Sequence, residues 1–170
     1  GSEMCIRDSF KEMLLSNVKS HANNVALAYD EDGEIKSLTY AELYREISAR
    51  REQIARLDAN CVGILQAPSK KWIIDMFACV LARKQTVLLD PMSEPTVIQA
   101  QTLATDVETL LTDELTSRHA SLLKTAPVGT VAPSKDEGDI LFFTSGTTNS
   151  SKAVVLTSSS LCASAWNGQA

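Results

Sequence analysis

Apolar residues recur along this chain in two periods, and the period changes several times. Phe10, Met13, Leu14 and Val18 fall three or four residues apart, which predicts a helix from Phe10 to about Ala22. Val25 to Tyr29 is a short β-prone run. Glu31-Asp32-Gly33 reads as a turn, with Ile35 to Leu38 returning as a hairpin partner. Thr39-Tyr40-Ala41-Glu42 has the form of a capping box and opens an amphipathic helix to about Leu57, with Leu43, Ile47, Ile54 and Leu57 on its apolar stripe.

Beyond this helix the apolar runs become compact. Cys61 to Leu65 and Thr86 to Leu89 read as strands buried on both faces. Ser69 caps a helix carrying Trp72, Ile73, Met76, Phe77, Val80 and Leu81. Pro95 to Thr105 reads as a helix, Glu108 to Leu111 as a strand, Leu115 to Leu123 as a weaker helix, and Thr125 to Glu137 as a loop. Asp139 to Phe143 and Ala153 to Leu156 are further strands, and Ser158 caps a last helix. Strands alternating with helices imply right-handed βαβ units. The fold class is therefore α/β, a mostly parallel sheet with flanking helices.

Composition narrows the setting. Of 170 residues, 44% are hydrophobic, as in an ordinary globular chain. The net charge of −5 argues against nucleic acid as a partner, because phosphate backbones are met by basic faces. Four scattered cysteines, Cys5, Cys61, Cys79 and Cys162, form no Cys-x-x-Cys and no cluster with histidine, so zinc is not expected. Cys61 and Cys79 lie in apolar runs and read as buried thiols of a reducing compartment. No apolar run approaches the roughly 20 residues that cross a bilayer, and the cytoplasm is the default location. Gly1 to Ser9 matches no pattern that follows and reads as a non-native leader. Residues 10–170 read as a partial domain whose remainder lies downstream.

Candidate chemistry is concentrated after the Ile140-Leu141-Phe142-Phe143 run, in Thr144-Ser145-Gly146-Thr147-Thr148-Asn149-Ser150-Ser151-Lys152. Glycine lets backbone N–H groups turn toward a ligand, hydroxyls donate to phosphate oxygens, and lysine supplies a mobile positive charge. The residues alone support a plain Ser/Thr/Asn turn equally well. A Walker loop has the same glycine-to-lysine spacing, but it needs glycine at Ser151, Ser or Thr at Ala153, and a helix afterwards. Here Ala153-Val154-Val155-Leu156 is β-prone.

This segment resembles the signature T-S-G-T-T-G-x-P-K-G-V of the adenylate-forming ligases, which include acyl-CoA synthetases, peptide-synthetase adenylation domains and luciferases. Thr144 to Thr148, Lys152 and Val154 match it, whereas Asn149, Ser151 and Ala153 depart. Upstream, Leu38-Thr39-Tyr40-Ala41-Glu42-Leu43, Val62-Gly63-Ile64-Leu65, Trp72 and Val87-Leu88-Leu89-Asp90-Pro91 are similar to the family's course in colinear order. The likeness runs from about Phe10 to Ala170 and is closest to acyl-CoA synthetases, and Lys152-Ala153-Val154-Val155-Leu156-Thr157 resembles those of fatty-acyl or aryl acids, which implies a place in fatty acid metabolism.

The resemblance implies the N-terminal part of a ligase large domain. It implies a two-step reaction, in which a carboxylic acid and ATP give an acyl-adenylate and pyrophosphate, and a thiol then displaces AMP. That thiol is coenzyme A or a carrier protein's. By the same resemblance, Thr144, Ser145, Gly146, Thr147, Thr148 and Lys152 hold the ATP phosphates, and Mg²⁺ travels with the ATP. The family's further catalytic groups lie beyond Ala170, so this chain is not expected to complete the reaction alone. Three rivals remain: a phosphate- or nucleotide-binding module without ligase activity, an amino-acid-activating adenylation domain, and an inert remnant that keeps the fold.

Several residues point to no chemistry of their own. His21 and His119 read as solvated, Trp72 as helix packing, Asp90-Pro91 as a strand stop, and Asp136-Glu137 as turn charges. Ser145 lacks a Gly-x-Ser-x-Gly elbow.

Overall fold

The computed structural model describes residues 9–144 and the backbone of 152–156. The chain opens with α1 (Phe10–His21), then a hairpin of β1 (Val25–Glu31) and β2 (Glu34–Thr39), then α2 (Tyr40–Ala55). Next come β3 (Cys61–Leu65), α3 (Lys70–Leu81), β4 (Gln85–Leu89), α4 (Pro95–Ala104) and β5 (Thr109–Thr112). A one-turn helix α5 (Ser117–Ala120), β6 (Ile140–Thr144) and β7 (Lys152–Leu156) follow.

The local signals act as their chemistry dictates. Thr39 Oγ1 accepts from Glu42 N at 3.2 Å, and the Glu42 carboxylate accepts from Thr39 N at 3.0 Å. That closes the capping box on α2. Ser69 Oγ accepts from Trp72 N at 3.2 Å and opens α3. Ser9, counted above with the leader, caps α1 through Glu12 N. The β1–β2 turn places Asp32 and Gly33 at φ of 54° and 83°, the left-handed pair of a tight hairpin.

The main sheet has the order β5-β3-β4-β6-β7. β3 pairs in parallel with β4 and β5, and β4 with β6, while β7 runs antiparallel to β6. The chain moves from β3 to β4 on one side, then crosses back to β5 on the other. Right-handed crossovers therefore put α3 and α4 on opposite faces.

Burial confirms the two faces. Val62 and Ile64 of β3 join the core built with α1, α2 and α3, whereas Cys61 and Leu65 join a second core with Ile98 of α4. Both faces being covered explains why all five residues of β3 are buried. Phe10 of α1 stacks on Phe77 of α3 with ring centroids 4.6 Å apart.

Two expectations are corrected. The helix anticipated from Leu115 to Leu123 shrinks to Ser117–Ala120. Leu115 and Leu122 are 85% and 80% exposed, while Ala120 and Leu123 pack against the second core, so half of the apolar spacing meets no core. Glu137, read as a turn charge, instead caps α1 across the chain: its carboxylate oxygens accept from Phe10 N at 2.7 Å and Lys11 N at 2.9 Å. The anticipated helix after Ser158 lies outside the described residues.

Candidate functional site

Parallel α/β sheets present ligands at the carboxyl ends of their strands, where the winding direction reverses. Here the reversal falls between β3 and β4. A cleft of about 440 Å³ lies at the carboxyl ends of β3, β4 and β6. Pro68 and Trp72 form one wall, Asp90 and Pro91 another, Val97 and Gln101 of α4 a third, and Phe142 and Phe143 the side nearest β6. None of the described residues lining it is lysine, arginine or histidine.

Gln66, the residue after β3, lines this cleft and is 1% exposed. Its Nε2 donates to Asp75 Oδ2 at 2.8 Å. Asp75, 2% exposed within α3, also accepts from Arg50 Nε at 2.8 Å and Lys71 Nζ at 2.9 Å. Burial pushes the Asp75 carboxyl up, but Arg50, Gln66 and Lys71 together hold it below the ordinary aspartate value. Turning the Gln66 amide over would set its oxygen against this carboxylate, which fixes its orientation. Gln66 Oε1 is left buried with no hydrogen-bond partner. Such an orphan costs about 1–3 kcal/mol, a cost a bound donor would remove.

The floor is held from the β5 side as well. Asp113 Oδ2 accepts from Ala67 N at 2.9 Å, and Asp113 Oδ1 accepts from Leu115 N and Thr116 N, both at 2.9 Å. Burial raises the Asp113 carboxyl, and these N–H groups with the Thr116 hydroxyl outweigh it, so the net shift is downward. The turn after β3 is thereby anchored, and Gln66 with it.

β6 passes this cleft and delivers the hydroxyl-rich loop. Phe142 and Phe143 line the cleft, and Thr144, the next residue, is exposed and ends β6. Thr144 is paired with Lys152 across the antiparallel β6–β7 ladder. The two ends of the segment between them are thus paired at the carboxyl edge of the sheet. β7 follows it where a Walker loop has a helix. Of the six anticipated phosphate ligands, the structure places Thr144 and the backbone of Lys152. Ser145, Gly146, Thr147 and Thr148 lie outside the described residues, as does the Lys152 side chain.

His21 and His119 are exposed, as expected. Trp72 is half-buried and packs on the core of α1–α3, and it also walls the cleft. Asp90 ends β4 and accepts from Met92 N at 2.9 Å. Gln66 was not singled out from the sequence. Its one signal was an amide directly after the apolar run Cys61 to Leu65.

Among the described residues, no group of three or more His, Cys, Asp or Glu side chains could hold a metal ion. No helix among them is long and apolar enough to cross a membrane.

The sequence model of the family described as AMP-binding enzyme matches residues 14–169. No curated protein sequence matches the chain. Solved structures do. O-succinylbenzoate coenzyme A synthetase (MenE) from Bacillus subtilis, in complex with AMP, is 23% identical with a TM-score of 0.63, over 83% of this chain and 40% of that one. The anthranilate CoA ligase AuaEII, in complex with anthranoyl-AMP, is 15% identical with a TM-score of 0.66, over 89% and 35%. The nonribosomal peptide synthetase FmoA3 is 16% identical with a TM-score of 0.64, over 91% and 19%. At these identities the likeness shows the fold, and the chain spans 40% or less of the length of each of these three. On the family match across nearly its whole length, the chain belongs to the AMP-binding enzymes, the adenylate-forming ligases.

Proposed function

We propose that the protein containing this chain is an ATP-dependent carboxylic acid–thiol ligase, and that Thr144 to Thr148 and Lys152 hold the β- and γ-phosphates of ATP. The observation that carries this reading is the β6–β7 ladder. It pairs Thr144 with Lys152 and so sets both ends of a hydroxyl-rich loop at the carboxyl edge of a parallel sheet. Donors fixed there would stabilise charge as pyrophosphate departs. The similar MenE has been solved with ATP and a magnesium ion. Mg²⁺ in this reading enters on the ATP phosphates, since phosphate oxygens and water suffice to hold it.

The acid is a carboxylic acid of unassigned class. The similar structures carry O-succinylbenzoyl, anthranoyl and α-methyl-L-seryl adenylates, which support no fatty-acid preference. Coenzyme A is the proposed thiol, with a carrier-protein thiol as the second reading because FmoA3 is a peptide synthetase. The cytoplasmic setting rests on the free, buried thiols of Cys61 and Cys79.

The test is carboxylate-dependent ATP–pyrophosphate exchange by the full-length protein over a panel of aryl, alkyl and amino acids. Exchange with any member, weakened by about thirtyfold in Lys152→Ala, is expected from loss of a charged hydrogen bond of about 2 kcal/mol. ATP binding without exchange for any acid would favour the binding module.

A further inference from the structure

We propose that the cleft between β3, β4, α4 and β6 binds a flat aromatic group carrying one hydrogen-bond donor, which Gln66 Oε1 accepts. The walls argue for a flat, apolar guest. Trp72, Pro68, Pro91, Phe142 and Val97 present rings and aliphatic surface around a space of about 440 Å³, within the range of small-molecule sites. Aromatic and proline walls favour a ring slid between them.

The floor decides the polarity. Gln66 Oε1 is buried and unpartnered, and the Asp75 carboxylate holds the amide in that orientation. An oxygen there accepts and cannot donate, so the guest must bring an O–H or N–H. Among the described lining residues the one charged side chain is Asp90, a carboxylate, which disfavours an anionic group beside it. A phenol, aniline or indole type of group meets all three conditions.

The described residues that line it end at Phe143, and the proposed hydrogen bond to Gln66 involves neither ATP nor Lys152.

The test uses phenol and its isostere toluene, titrated into the 170-residue chain and into Gln66→Met and followed by NMR. In the unaltered chain both probes should shift the Trp72 indole N–H. Phenol alone should shift the Gln66 side-chain amide. The ratio of the toluene to the phenol dissociation constant should fall about fivefold in Gln66→Met, which keeps the shape and removes the acceptor. If Gln66→Met does not fold, the Gln66 amide response in the unaltered chain decides alone. Equal responses to phenol and toluene at that amide, an unchanged ratio, or shifts that miss Trp72 would each overturn the proposal. Pyrophosphate titration of the same sample reads the loop separately, so failure of one site is distinguishable from failure of the other.

Discussion

Thr144 and Lys152 face each other across β6 and β7, so the chain leaves the sheet at one and re-enters it at the other. Antiparallel partners lie about 5 Å apart at Cα. The two ends of the intervening segment are therefore held close together. The parallel pairing of β6 with β4, Thr86 to Ile140 and Val87 to Leu141, ties them to the core. Whatever disturbs the β4–β6 edge should disturb the loop.

Gly138 guards that edge. A Cβ there would lie 1.7 Å from the Lys84 carbonyl oxygen and 2.5 Å from its carbon, both backbone atoms. Gly63 in β3 is also tight, but its Cβ would meet side-chain ends, Leu110 Cδ2 and Val107 Cγ1, at 2.9 Å. Gly138→Ala should cost about 3 kcal/mol or more, and Gly63→Ala about 1–2 kcal/mol. Urea unfolding of the two variants checks the order, and equal losses would refute it.

Glu108 should set part of the acid limb of stability. Its Oε1 accepts from Asn60 N and Cys61 N at 2.7 and 2.9 Å, and its Oε2 from Gly129 N and Val131 N at 2.6 and 3.2 Å. Burial raises this carboxyl, yet the four N–H groups outweigh it and hold it below the ordinary 4.5. A depressed native pKa stabilises fully above the unfolded value and ceases to do so as pH falls through the native one. Glu108→Gln should lose about 2 kcal/mol at pH 7, and its deficit should shrink below pH about 4. A deficit constant from pH 7 to 3 in chemical unfolding would contradict this.

Thr39 closes a capping box that both partners complete, so Thr39→Ala should destabilise by about 1 kcal/mol, while Thr39→Ser should be nearly neutral. Thermal melts of the pair test the assignment. Equal losses would show that the methyl group, and not the hydroxyl, matters there.

Much of this architecture is legible in the sequence because it is local. The Thr39-x-x-Glu42 box, Ser69 at the start of α3 and the Asp32-Gly33 turn each act within a few residues. β3 is legible because burial on both faces leaves an unbroken apolar run. What escaped depends on distant partners. Glu137 reaches Phe10 and Glu108 reaches Gly129, contacts that no periodicity encodes. Leu115 and Leu122 mimic a helix face, but no core lies opposite them. The candidate loop was readable as a composition, and its base as a β-prone run. The cleft was not, because Gln66, Trp72, Pro91 and Phe142 meet only once the sheet is ordered.

The most direct test of the central claim is a pyrophosphate titration of the isotope-labelled chain, with and without Lys152→Ala. The account predicts amide shifts concentrated at Thr144 to Lys152, an affinity that falls with salt, and a loss of about thirtyfold in the variant. Shifts scattered over other basic residues, or equal affinity in Lys152→Ala, would contradict it.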